Sequence, residues 1–251
     1  MWTERQAVEI FHLLFLRAFG ARVDKSLYAL KGGGNLRFFH KSVRYSEDID
    51  LDLRTMSAAT LRNHMNRILT APSFVQVLRA QQIELVKSTA PKQTDTTQRW
   101  KIQLRVNGAT DVPTRIDFSR RGLDEDSEYA PVDPEIIRSY RLYPIFVQHY
   151  TTEAAFRQKI KALASRRETQ ARDVFDLKLL LDAGEGKKPL PQDVQKMLPQ
   201  AIECAIAVGY DAFMAQVFAY LEPEHQQHYQ ERIIWESLQD EVVNALEALR
   251  P

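Results

Sequence analysis

The sequence predicts an α+β protein: a mixed-sheet domain over residues 1–150, followed by an all-helical domain over 151–251. Three observations carry this. Alternating apolar and polar residues mark short strands between Asp48 and Ser119, helical spacing opens the chain, and from about Thr151 the apolar period is helical throughout. The 251 residues are enough to bury a full core in one large domain or two smaller ones.

At the N-terminus, Thr3 and Gln6 form a capping-box pattern, and Val8, Phe11, Phe15 and Phe19 recur at helical spacing until Gly20 offers a stop. A helix is expected from about Thr3 to Phe19. The apolar run Leu27 to Leu30 then reads as a strand, Gly32-Gly33-Gly34 as a turn, Asn35 to His40 as a brief helix, and Asp48 to Leu53 as a strand of strict alternation. Ser57 is placed to cap a helix reaching Leu69, a further helix covers Phe74 to Ala80, and Ile83 to Lys87 reads as a strand. Trp100, Ile102, Leu104 and Val106 alternate with polar residues, as do Ile116 and Phe118, with the turn-rich NGATDVP between the two runs. Helices are expected over Ala155 to Arg166, Gln170 to Asp182, Gln192 to Val208, Tyr210 to Tyr220 and Tyr229 to Leu249, with a loop at Ala183 to Pro191.

Composition excludes several classes. With 44% hydrophobic and 27% charged residues and no apolar run near the roughly 20 residues of a membrane helix, no membrane span is expected. The N-terminal residues lack a secretory pattern, so a cytoplasmic protein is expected. The single Cys204 lies in an apolar stretch and reads as a small buried hydrophobe. A formal net charge of +1 gives no global signal for nucleic acid, so any such binding rests on a local patch.

The chemistry is concentrated between Lys31 and Leu53. In a strand, Asp48, Asp50 and Asp52 point to one face, where their repulsion calls for a cation or ordered donors, while Ile49, Leu51 and Leu53 suit burial. Asp117, between buried-type residues of a later strand, completes a metal-binding set if that strand lies beside the first. Such carboxylates can hold two Mg²⁺ ions about 3.5–4 Å apart, which is the chemistry of phosphoryl or nucleotidyl transfer. Upstream, Gly32 to Gly34 let backbone N–H groups approach a phosphate near a helix start. A Walker A loop would need Gly where Phe39 and His40 stand, and an EF-hand from Asp48 would need Gly at Leu53 and Glu at Ala59, so neither fits.

These residues resemble the AbiEii family of bacterial nucleotidyltransferase toxins, MenT-like proteins of type IV toxin–antitoxin and abortive-infection systems. The family's first motif is approximately K-G-G-T/S-x-L followed by R-x-S-x-D-I-D-L. Lys31, Gly32, Gly33, Leu36, Arg44, Ser46, Asp48, Ile49, Asp50 and Leu51 match it in order. A second motif, E-K-L-x-A-L with a later R-D-x-x-D-L, is matched by Lys159 to Leu163 and by Arg172, Asp173, Asp176 and Leu177. Gly34 departs from the family's hydroxyl residue and Gln158 from its Glu.

The resemblance implies a polymerase-β-like nucleotidyltransferase core using an NTP and Mg²⁺, with Mn²⁺ as a possible substitute, and releasing pyrophosphate. It implies an RNA acceptor, with the tRNA 3′ end first, a cognate antitoxin and a part in phage defence. Asp48, Asp50 and Asp117 would bind metal. Gly32, Gly33, Arg44, Ser46, Lys159 and Asp176 would bind the nucleotide, and Lys159 and Asp173 would serve catalysis from the helical part. The alternatives are transfer to a protein or small-molecule hydroxyl, or a degenerate fold that only binds RNA or protein.

Between Arg157 and Arg172 six basic residues stand against one acid, Glu168. Lys159 and Arg166, seven apart, share a helix face that suits a triphosphate or an RNA backbone, or else solvent. Asp173 and Asp176 share a face with Leu177 and Leu180. His225 and His228 have a metal-like spacing, yet read as surface residues.

Overall fold

The computed structural model describes residues 1–123 and 126–250. The chain divides into two compact units: Met1–Lys41 with Tyr45–Tyr150, and Ser42–Arg44 with the chain from Thr151 onward. No single helix among the described residues is long and apolar enough to cross a membrane.

The first unit is built on seven strands that, among the described residues, form one mixed sheet. They are β1 (Tyr28–Lys31), β2 (Asp48–Leu53), β3 (Ile83–Gln93), β4 (Thr97–Val106), β5 (Thr110–Ser119), β6 (Ser127–Pro131) and β7 (Phe146–Tyr150), in the order β3-β4-β5-β2-β1-β7-β6. The β2–β5 and β1–β7 pairs are parallel and the others antiparallel. Between β4 and β5 the expected turn shrinks to the three residues Asn107-Gly108-Ala109, the first two at positive φ, as a tight hairpin requires. Ala109 closes the turn, and from Thr110 onward NGATDVP is strand.

Helix α1 (Glu4–Gly20) has the capping box anticipated at Thr3 and Gln6. Ala7 to Leu16 are all buried, as in a helix enclosed by its domain. Phe19 meets Tyr28 and Phe118 with ring centroids 5.1 and 5.4 Å away, so the helix lies against the apolar face of β1 and β5. Gly20 is the last helical residue rather than a left-handed cap. Its hydrogen side is needed because a Cβ there would come 2.9 Å from the Tyr28 hydroxyl. Ile49, Leu51, Trp100, Ile102, Ile116 and Phe118 share this core with α3 (Ala58–Leu69), capped by Ser57, and α4 (Pro72–Ala80).

The expected glycine turn is instead the first turn of α2 (Gly32–Phe39). Three ties hold α2: Asn35 donates to the Tyr150 carbonyl at 2.9 Å, Phe39 stacks on His149, and Arg37 pairs with Glu9 at 2.7 Å. Helix α5 (Pro134–Ser139) completes this unit's elements.

The second unit is helical: α6 (Thr152–Ser165), α7 (Ala171–Asp182), α8 (Gln192–Gln195), α9 (Leu198–Ala207), α10 (Tyr210–Gln216), α11 (Pro223–Tyr229) and α12 (Arg232–Ala248). The expected helix from Gln192 breaks before Leu198 because Pro199 has no N–H for the preceding turn and clashes with its carbonyl. Trp235 stacks on Phe213 at 4.6 Å within a core that includes Phe156, Leu163, Leu177 and Val242. Cys204 is half-buried rather than buried and accepts a hydrogen bond from Gln200. The strand pairing of Arg44 with Leu221 and the bond from Glu222 N to Val43 O tie the 42–44 segment to these helices.

Candidate active site

The parallel register of β2 and β5 pairs Asp50 with Asp117 and Asp48 with Arg115, while β4 brings Arg99 opposite Asp117. Paired residues share a sheet face, so Asp48, Asp50 and Asp117 emerge together on the side away from Ile49, Leu51, Ile116 and Phe118. All three carboxylates are half-buried. Arg99 grips Asp117 with two bonds of 2.6 and 2.7 Å, and Arg115 donates to Asp48. Those bonds raise both arginines above their usual value, and Arg115 feels Asp117 and Asp50 as well.

The donor types suit a divalent cation: Asp48, Asp50 and Asp117 lie on one face and offer the hard oxygens that Mg²⁺ prefers, with Arg115 bonded to Asp48 and Arg99 to both oxygens of Asp117. Gly32 supports the same geometry. It sits at φ +68°, and a Cβ there would lie 3.0 Å from Asp50 Oδ2, so this position needs glycine both for its backbone and for the space it leaves to the carboxylate. Lys31, at the N-cap of α2, makes no side-chain capping bond, and a helix N-terminus of this kind presents N–H groups that suit an anion.

Asp52 belongs elsewhere. It is buried and bonded by Lys31 Nζ at 2.5 Å and by the Tyr150 hydroxyl at 2.9 Å, so alternation puts it on the acidic face but partners separate it from the metal set. Ser46 is half-buried next to this strand, its hydroxyl donating to the Asp48 carbonyl at 2.7 Å. On the core side, His12 on α1 lies 2.8 Å from Thr114 Oγ1, which itself donates to the Glu47 carbonyl, so His12 steadies the entry to β2. Nothing local in the sequence signals His12 beyond a lone polar residue in an apolar helix.

The remaining candidates lie in the helical unit and form one network. Asp176, fully buried, takes two bonds from Arg44 at 2.9 and 2.7 Å and lies 2.6 Å from Lys159 Nζ. Lys159 also donates to Asp173 at 2.9 Å. Arg166 Nε approaches Asp173 Oδ2 to 2.7 Å, close enough for an ion pair but outside hydrogen-bond geometry. Burial pushes the Asp176 carboxyl up, but Arg44 and Lys159 outweigh it and hold the group down at about 2. Other cations of the basic stretch also meet acids: Arg157 with Glu153, and Lys161 with Asp193. The excess charge visible in sequence is thus largely neutralised by acids outside the 157–172 stretch, namely Glu153, Asp173, Asp176 and Asp193. His228 is exposed, and half-buried His225 has Glu222 and Glu224 as neighbours rather than a second histidine.

A sequence profile of the family described as "Nucleotidyl transferase AbiEii toxin, Type IV TA system" matches residues 14–247. No curated protein sequence matches the chain. Among solved structures, JHP933 from Helicobacter pylori is similar at TM-score 0.61 and 16% identity, covering 99% of this chain and 95% of that one. MenT4, a nucleotidyltransferase toxin from Mycobacterium tuberculosis H37Rv, is similar at TM-score 0.63 and 16% identity, covering 100% and 96%. At such identities the structures testify to a shared fold.

Proposed function

This chain belongs to the AbiEii nucleotidyl transferase toxin family of type IV toxin–antitoxin systems, and from that premise we propose that it transfers a nucleoside monophosphate from an NTP to the 3′ end of an RNA, tRNA first, with Mg²⁺ or Mn²⁺. The family makes the chain a nucleotidyltransferase with an antitoxin partner. The observation that most supports the reaction is the β2–β5 register, which sets Asp50 beside Asp117 on one open face with Asp48 two residues away.

In this reading Asp48, Asp50 and Asp117 would hold the metal, which would supply charge neutralisation for the triphosphate and the attacking oxygen. The chain's own residues do the rest. The N–H groups at Gly32 and Gly33 receive the outer phosphates. Asp117 takes the proton of the acceptor hydroxyl as its oxygen bonds to the α-phosphorus. The bond from that phosphorus to the bridging oxygen breaks, and pyrophosphate leaves with the electron pair. Ser46, bonded to the Asp48 carbonyl, fixes the start of β2 and hence the placement of the first carboxylate.

Purified protein incubated with each labelled NTP, total tRNA, cell proteins and Mg²⁺ should label the RNA fraction, and chelation should stop it. Label confined to protein or to small molecules would overturn the acceptor assignment. Absence of any Mg²⁺-dependent nucleotide binding would favour a non-catalytic module. The phage-defence role is tested by plating phage on cells carrying the toxin with its antitoxin; unchanged plating efficiency would refute it.

A further inference from the structure

We propose that the groove beside Asp48, across the open face of β3, β4 and β5, is the track on which the phosphodiester backbone of the RNA acceptor reaches the carboxylates. The inference rests on the RNA-transfer reading above and assigns that substrate a surface.

The groove has a volume of about 510 Å³, and Lys87, Thr89, Lys101, Gln103 and Arg115 contribute to its lining together with the acids Glu47 and Asp48, which lie at its β2 end. The strand register puts these residues in rows: Thr89 pairs with Lys101, Lys101 with Arg115 and Arg115 with Asp48, while Lys87 pairs with Gln103 in the next row. At a strand spacing of about 4.8 Å, the Lys101 backbone lies about 10 Å from that of Asp48, and β3 about 14 Å away. Lys87 and Lys101 are exposed, and neither makes an ion pair or side-chain hydrogen bond among the described residues. Lys92, exposed and equally without such a partner, lies outside the groove's lining and pairs with Arg99 in the row of Asp117 and Asp50. Elsewhere many of this chain's cations are tied to acids, as in the Arg44, Lys159 and Arg166 network. Cations left unpaired in a groove that ends at the reactive carboxylates are suited to a ligand carrying repeated negative charge.

Two further features favour RNA over a protein partner or the NTP. The apolar residues of the lining are Ile102, which is buried, and Pro113, so the groove lacks the aromatic or aliphatic anchors on which protein interfaces depend. The sheet order also separates the two phosphate-binding features. The glycine helix follows β1 on one side of β2, while the lysines lie on the other side, beyond β5. In-line transfer needs the attacking and leaving oxygens on opposite sides of the α-phosphorus. With the triphosphate at the glycines, the acceptor enters from the lysine side.

The test is a salt titration of labelled total tRNA binding to the full-length chain without NTP, comparing wild type with Lys87→Gln/Lys101→Gln and Lys87→Arg/Lys101→Arg. The Gln pair should weaken binding by about tenfold or more at roughly 0.1 M salt and reduce the slope of log K against log salt by about 0.7–0.9 per lysine. The Arg pair should retain binding, and labelled NTP should bind all three proteins alike in Mg²⁺. Wild-type affinity and slope in the Gln pair, while wild-type protein still labels tRNA, would overturn the groove alone. Wild-type protein that labels only cell proteins would overturn the acceptor reading and the groove together. Loss of NTP binding in the Gln pair with tRNA binding intact would reassign the groove to the triphosphate. Loss of antitoxin binding with tRNA binding intact would reassign it to the protein partner.

Discussion

Replacing Asp176 by Asn should destabilise the helical unit by about 3–5 kcal/mol, the usual cost of removing one partner from a buried ion pair. The carboxylate has no solvent contact and compensates two cations, Arg44 through two bonds and Lys159 through a 2.6 Å contact. Asn would leave both cations short of charge and set an NH₂ group where donors already point. The depressed carboxyl gives a second figure. Holding the carboxyl at about 2 instead of 3.8 corresponds to roughly 2–3 kcal/mol, at about 1.4 kcal/mol per pH unit. This figure is smaller because a protonated acid still fills the site, whereas Asn changes the donor pattern. Since the folded value lies below the unfolded one, the contribution is complete above about pH 4 and is lost as pH falls through about 2. Urea unfolding followed by Trp235 fluorescence, with Trp2 and Trp100 replaced by Phe in the reference protein, reports on the helical unit. The midpoint should fall by about 1–3 M for a urea dependence of about 1–3 kcal/mol per molar. Asp176→Leu combined with Arg44→Met should recover part of the loss, because it removes a charge pair rather than half of one. A wild-type midpoint in Asp176→Asn accompanied by lost nucleotide binding would refute the reasoning and put this carboxylate to work on substrate.

Three other outcomes follow from the first unit. Gly32→Ala should cost about 1–2 kcal/mol from its left-handed backbone and also depress transfer, because its Cβ crowds Asp50, whereas Gly34→Ala meets Leu30 and Phe38 at ordinary contact distances and should stabilise by about 0.5–1 kcal/mol; thermal melts with equal effects for the two would refute this. Asp117→Asn should lower nucleotidyl transfer by about a thousandfold or more while leaving the melting temperature near wild type, and a steady-state assay retaining activity would remove Asp117 from the site. Burial pushes His12 down to about 3 from 6.5, so its neutral form contributes stability that is lost as pH falls from about 6.5 towards 3, up to about 5 kcal/mol. His12→Gln, which keeps an N–H for Thr114, should move the acid-unfolding midpoint to lower pH by circular dichroism, and an unchanged profile would refute that account.

Local regularities made much of the first unit legible. The Thr3 and Gln6 cap, the Ser57 cap and the alternation of Trp100 to Val106 are each set by residues a few positions apart, and the structure has them all. The strand Asp48 to Leu53 has the expected bounds. At Gly32 to Gly34 a composition that favours turns is overridden by the ties of Asn35 and Arg37, which hold the segment as helix. The β6–β7 pair, short and flanked by prolines, carries too little periodicity to announce itself, yet β7 lies beside β1 in the sheet.

By itself the sequence determined which residues share a face, where helices begin and which family string the chain carries, because those depend on the backbone's short periods and on residue order. Tertiary structure decided which charge meets which. Arg44 pairs with Asp176, 132 residues away, and Asp52 is removed from the acidic row by Lys31 and Tyr150. The register of two parallel strands, not any spacing along the chain, sets Asp50 beside Asp117. Burial and strand register fix the partner of each ionisable group over such separations, and neither is encoded in a local window.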